Sequence, residues 1–156
     1  MFMLSAFKKV TIAGLLFTAF TACKKDTETV NNPVYNLRGN ANGTQEVPAR
    51  TTTATGTISG TYDKDKNLMT YTITWTGLIG GNPTAAHFHG AADPGVNAGV
   101  LVPFANFPTT PSGTYSSTQT LTDPQETDFT NGLWYYNIHN ATFPGGEIRG
   151  QIFLTQ

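Results

Sequence analysis

Between Leu68 and Trp75 the chain alternates without a break: Met69, Tyr71, Ile73 and Trp75 on one face, Thr70, Thr72 and Thr74 on the other. A period of two places successive side chains on opposite faces of an extended strand, the apolar set toward a core and the threonines toward water. The preceding run, Gly56 to Tyr62, follows the same rule, with Ile58 and Tyr62 on one side and Thr57, Ser59 and Thr61 on the other. Asp63-Lys64-Asp65-Lys66-Asn67 lies between them as a charged connection, so the two runs predict a hairpin. Gly99 to Phe104 is more continuously apolar, the pattern of a strand covered on both sides, while Pro103 confines its end to an edge or a bulge. Ser112 to Thr122 is polar and threonine-rich, which predicts an exposed strand.

The alternation is interrupted once. Thr122-Asp123-Pro124 followed by Gln125 and Glu126 is a helix start, a capping residue ahead of a proline in the first turn, and Gly132 ends the helix after about two turns. Leu133 to His139 resumes strand character, with Trp134, Tyr136 and Ile138 on the apolar face and Tyr135, Asn137 and His139 opposite. Phe143-Pro144-Gly145-Gly146 forms a turn into the last strand. There Ile148, Ile152 and Leu154 are expected to point inward, and Glu147, Arg149 and Gln151 outward. Short strands at this spacing, with one short helix and no internal repeat, predict an all-β antiparallel Greek-key sandwich or small barrel.

The start of the chain is of another kind. Lys8 and Lys9 precede an uncharged apolar run, Val10 to Ala22. That run is short of the roughly 20 residues a spanning helix needs, and it fits a secretory signal. It ends at Phe20-Thr21-Ala22-Cys23, with the chain's single cysteine last. This arrangement resembles a bacterial lipobox, although Phe20 stands where a small aliphatic residue is usual. The expected organisation is a lipoprotein signal peptide over 1–22, a lipidated Cys23 with a polar tether over 23–33, and a single domain over 34–156. Two or more acyl chains on Cys23 give stable membrane anchoring. The expected address is the outer membrane of an exported lipoprotein, facing the periplasm or the cell surface.

Charge narrows the partners. Removing Lys8 and Lys9 from the nine basic residues leaves seven against ten acidic ones, a net charge near −3. No basic stripe exists, which argues against nucleic acid. A lone cysteine forms no internal disulfide, so the core holds the fold alone, as a domain of about 120 residues can.

All three histidines of the chain fall on polar faces of predicted strands. Within Ala86 to Gly90, Ala86 and Phe88 face the core, which puts His87 and His89 on the outer face with α carbons roughly 6–7 Å apart. Both imidazoles then reach one ion. His139 supplies a third nitrogen if its strand neighbours theirs. Zinc or copper suits this ligand type. Pairing of the last two strands sets Glu147 and Arg149 on the polar face with His139, where Glu147 is a candidate fourth ligand or a partner orienting an imidazole. Asn137 and Arg149 are candidates for a supporting role around the cluster. The alternative is structural: His87 and His89 hydrogen-bond the loop backbone around Ala91 to Asn97, and Glu147 with Arg149 forms an exposed ion pair of little energetic value.

Three stretches together resemble the CHRD domain, named after chordin and also found in bacterial exported proteins. They are LRGNANGTQEVPA (Leu37 to Ala49), AHFHGAADPGVNAGVLVPF (Ala86 to Phe104) and GLWYYNIHNATFPGGEIRGQI (Gly132 to Ile152). The resemblance implies an immunoglobulin-like β-barrel with limited likeness to copper–zinc superoxide dismutases, and no established biochemical activity. Dismutase chemistry does not transfer: a dinuclear copper–zinc site needs more than three histidines, and its disulfide needs two cysteines. The expected function is therefore a lipid-anchored, non-catalytic binding or structural module with a protein or glycan partner at the envelope. The alternative is a copper- or zinc-binding protein using His87, His89 and His139. No nucleophile motif such as G-x-S-x-G supports an enzyme.

Overall fold

The computed structural model describes residues 33–156, which form nine strands and one α-helix. The expected signal peptide over 1–22, Cys23 and all but the end of the expected tether lie outside the described residues. In chain order the strands are β1 (Val34–Asn42), β2 (Thr55–Asp63), β3 (Leu68–Thr76), β4 (Pro83–His89), β5 (Val100–Pro103) and β6 (Gly113–Thr120). Helix α1 (Asp123–Thr130) follows, then β7 (Tyr135–Asn140), β8 (Ile148–Gln151) and β9 (Phe153–Thr155). No helix among the described residues is long and apolar enough to cross a membrane.

The strands join in the order β5-β4-β7-β8-β1-β2-β3-β6, with β9 alongside β1. Every pairing is antiparallel. The chain leaves β3 for β4 at the far side of the sheet and returns from β5 to β6 beside β3. These two crossings curl the sheet into a half-barrel and bring its two groups of strands face to face. The all-β sandwich or barrel with one short helix is therefore the observed fold.

The β2–β3 hairpin pairs over its full length, from Thr55↔Thr76 to Asp63↔Leu68. Its connection is a short 3₁₀ turn in which Asp63 accepts from the Lys66 N–H at 3.2 Å, and Asn67 takes the left-handed conformation (φ 49°) that closes it. Met69, Tyr71, Ile73 and Trp75 are buried, as the alternation requires. They meet Phe88, Trp134, Tyr136, Ile138 and Ile148 from the opposing strands in one core. Tyr71 packs edge-on against Phe88 at 4.9 Å between centroids, tying the two layers together. Off-centre and edge-to-face arrangements of this kind suit the ring quadrupoles. The helix begins where expected: the Gln125 side chain accepts from the Thr122 N–H at 3.0 Å, and Gly132 (φ 73°) follows its end.

Two expectations fail. The Gly99 to Phe104 run is not a doubly covered strand. It contains β5, an edge strand paired on one side only, with Val100 52% exposed; Leu101 and Val102 pack half-buried against the core, and Phe104 at its end is buried in it. And the predicted outward face of β8 is not at the surface. Glu147, Arg149 and Gln151 are 0, 1 and 4% exposed. The connections from β1 to β2 and from β4 to β5 fold over them. Gln45 Oε1 accepts from the Gln151 N–H at 3.3 Å, Gln151 Nε2 donates to the Ala92 carbonyl at 3.0 Å, and Asn97 Nδ2 joins the two segments by donating to the Val47 carbonyl at 3.1 Å. This side of the sheet is a second, polar interior.

Candidate metal centre

The histidines lie where this polar interior opens: His89 is buried, and His87 and His139 are half-buried. Strand β4 pairs with β7 so that His87 lies opposite Asn137, His89 opposite Tyr135 and Ala85 opposite His139. His87 and His139 are thus diagonal neighbours on one face, within reach of each other's side chains. One ring nitrogen from each of His87, His89 and His139 lies within 4.8 Å of the other two. The closest pair is His87 Nδ1 and His139 Nε2, at 3.2 Å.

Two of the rings are held from behind. His89 Nδ1 lies 3.1 Å from the carbonyl oxygen of Ala98, and His139 Nδ1 lies 3.0 Å from that of Pro144. A carbonyl oxygen only accepts, so a neutral ring that donates to it from Nδ1 keeps the lone pair of Nε2 toward the cluster. The His89 ring also stacks on Tyr135, parallel to within 1° and 4.7 Å between centroids. Burial, followed by the neighbouring His139 and His89, pushes His87 down to about 4. Burial likewise holds His139 below the ordinary imidazole range, against the opposing pull of the Pro144 carbonyl. Neutral imidazole is the form that binds metal.

Asn137 sits in the middle. Its Oδ1 is 2.9 Å from His89 Nε2 and 2.8 Å from His139 Nε2. Beyond its amide nitrogen lies Glu46, 5% exposed, on the segment that follows β1. Burial raises Glu46 to about 7, opposed by the charges of Arg149 and Arg50 and by the Asn137 amide. Gly146 makes room for this arrangement: a Cβ there would collide with the Glu46 carboxylate and lie 2.8 Å from Asn137 Nδ2, at a φ of 114°.

The structure thus brings His87, His89, His139 and Asn137 together. It does not bring Glu147 to them. That carboxylate points away from the imidazoles and accepts from Thr52 Oγ1 at 2.5 Å, the Ile79 N–H at 2.9 Å, the Gly80 N–H at 3.0 Å and Asn140 Nδ2. With four donors its lone pairs are used, and it is neither a ligand nor a partner to an imidazole. Nor do Glu147 and Arg149 form the expected exposed ion pair, since both are buried. Arg149 touches the cluster only through Tyr135, on which its guanidinium lies. The loop-holding role weighed for His87 and His89 is present in part, at His89 and Ala98, and is compatible with convergence of the rings.

Glu46 and Gly146 escape a reading by alternation, because each lies in a connection. Their trace in the sequence is their position within two of the three stretches quoted above. The family model of the CHRD domain matches residues 37–152. No curated protein and no solved structure matches the chain.

Proposed function

Because this chain belongs to the CHRD-domain family, we propose that it is a binding module anchored at the cell envelope, and that its ligand is a zinc or copper ion held by His87, His89 and His139. The observation that carries the proposal is the convergence of three ring nitrogens within 4.8 Å of one another, on two hydrogen-bonded strands of a rigid sheet. Zinc and copper sites take three or four such ligands, at about 2.0–2.1 Å each for zinc. The backbone carbonyls of Ala98 and Pro144 supply what metal-binding histidines ordinarily need, an acceptor that fixes the tautomer and the ring orientation.

Anchoring is the other half of the reading. Cys23, at the end of the apolar run Val10 to Ala22, is the proposed lipidation point, with residues 23–33 as the tether. Mass spectrometry of the chain's N-terminal peptide is expected to find a lipid-modified Cys23, and Cys23→Ser is expected to move the protein from the membrane to the soluble fraction.

The metal reading is tested on the full chain purified in detergent and dialysed. Elemental analysis is expected to find about one equivalent of zinc or copper, and none in the triple variant His87→Ala, His89→Ala, His139→Ala. A wild-type protein that retains neither ion at micromolar concentration refutes it.

A further inference from the structure

Resting on the three-histidine reading above, we propose that Asn137 Oδ1 is the fourth ligand, that Glu46 positions it, and that the resulting donor set of three nitrogens and one amide oxygen selects a divalent ion.

The argument is a count of protons. His89 has an oxygen acceptor at each ring nitrogen, the Ala98 carbonyl at 3.1 Å and Asn137 Oδ1 at 2.9 Å. His139 is bracketed in the same way by the Pro144 carbonyl at 3.0 Å and Asn137 Oδ1 at 2.8 Å. A neutral imidazole has one N–H to give. Each ring therefore turns one lone pair toward an oxygen lone pair, whichever tautomer it adopts. His87 Nδ1, 3.2 Å from His139 Nε2, donates to it in one tautomer and adds a further lone pair in the other, and neither tautomer gives Asn137 Oδ1 and His89 a second proton to share. Facing acceptors in a half-buried site are costly unless something positive lies among them.

Turning the Asn137 amide over would point its N–H groups at the two Nε2 atoms and remove the conflict. Glu46 opposes that. Its carboxylate lies beside the amide nitrogen, so the reversed amide would set an oxygen against an oxygen there. Gly146 leaves the space both groups occupy. Glu46 touches no ligand nitrogen, so it acts through Asn137 as a positioning residue. An amide oxygen among imidazoles, without sulfur, suits zinc(II) or copper(II) and disfavours copper(I).

The test uses metal-free full chain in detergent, titrated against chelators with zinc(II), copper(II) and, without oxygen, copper(I). Asn137→Ala is expected to weaken zinc(II) binding about 10- to 100-fold. Asn137→Asp, read in the Glu46→Gln background so that its second oxygen meets an amide N–H, keeps an oxygen in place and is expected to retain binding. Glu46→Ala is expected to weaken binding by roughly tenfold and Glu46→Gln, still able to accept from the Asn137 amide, to restore most of it. The cobalt(II) form reports geometry: its visible bands are expected to change in Asn137→Ala and to persist in Asn137→Asp in that same Glu46→Gln background. Should a variant fail to fold, a crystal structure of the zinc-loaded wild type decides, with Oδ1 expected at about 2.0–2.2 Å from the ion. An Oδ1 that stays outside bonding distance, or an Asn137→Ala variant with wild-type affinity and cobalt spectrum, overturns the proposal and leaves three-histidine binding standing. Preference for copper(I) over both divalent ions overturns the selectivity. A wild type that binds none of the three overturns the earlier reading with it.

Discussion

Arg149 lies over the ring of Tyr135, its guanidinium carbon 3.4 Å from the ring centroid. Tyr135 in turn stacks on His89, so a buried cation is layered through an aromatic ring onto a candidate ligand. Arg149 also donates to the Val96 carbonyl at 2.8 Å and to Asn97 Oδ1 at 3.3 Å, fastening the covering segment that contains them. Arg149→Met keeps much of the side-chain volume and removes the charge and both hydrogen bonds. It also takes away one of the two arginine charges, with that of Arg50, that favour the buried Glu46 carboxylate. The expected loss is about 3 kcal/mol of unfolding free energy, measured by urea denaturation of the metal-free protein. A loss well under 1 kcal/mol would mean that the polar interior is held by its other contacts.

Glu147 gives the pH dependence. Burial alone would raise its carboxyl, yet the hydrogen bonds from Thr52, Ile79, Gly80 and Asn140 overcome that and hold it below the ordinary glutamate value of 4.5. A folded pKa depressed below the unfolded one contributes stability that is fully present above the ordinary carboxylate range. That contribution is lost as pH falls from about 4.5 through the folded value. Glu147→Gln removes the charge-assisted bonds and turns an amide N–H toward donors, at a cost of about 3 kcal/mol at pH 7. Unfolding curves of both proteins are expected to converge as pH drops below 4.5. A gap that stays constant across that range contradicts an ionised Glu147.

How far these sites could be read from the sequence depends on which contacts periodicity reports. Alternation located Met69, Tyr71, Ile73 and Trp75 in the core because a strand's inward face is a local property. It also put His87 and His89 on one side of β4 and Asn137 and His139 on one side of β7, as observed. What covers the other face is not local. Arg149 and Gln151 look like solvent-facing positions until the segments around Gln45 and Ala92 are laid over them. Glu147 faces the same way by pattern, but the start of β8 is met by the Ile79–Gly80 backbone, which lies far away in sequence. Glu46 enters from a connection whose course no repeat predicts.

Gly146 tests the packing of the centre itself. Its φ of 114° lies where side chains are strained, and a Cβ would run into Glu46 and Asn137. Gly146→Ala is expected to cost about 1–3 kcal/mol, more than an unstrained glycine-to-alanine change, which often stabilises. It is also expected to displace the Asn137 amide and so to lower zinc affinity. Gly145→Ala, one residue earlier, meets only Arg50 Nη2 at 3.3 Å, the far end of a flexible side chain. It serves as the comparison, and denaturation with chelator competition on both variants separates crowding at Glu46 from a general effect on the turn.

Metal binding, finally, is expected to appear in the stability of the whole domain. The candidate ligands come from β4 and β7, adjacent strands that share the core through Phe88 and Tyr136, so an unfolded chain does not hold them together. An ion that binds only the folded state adds RT ln(1 + [L]/Kd), about 2.7 kcal/mol when free zinc is a hundred times Kd. Thermal unfolding of the metal-free full chain is therefore expected to shift upward on adding zinc and to return when a chelator removes it. His139→Ala removes the nitrogen closest to His87 Nδ1 and is expected to abolish most of the shift. An equal rise in the His139→Ala protein would place the bound zinc elsewhere on the chain.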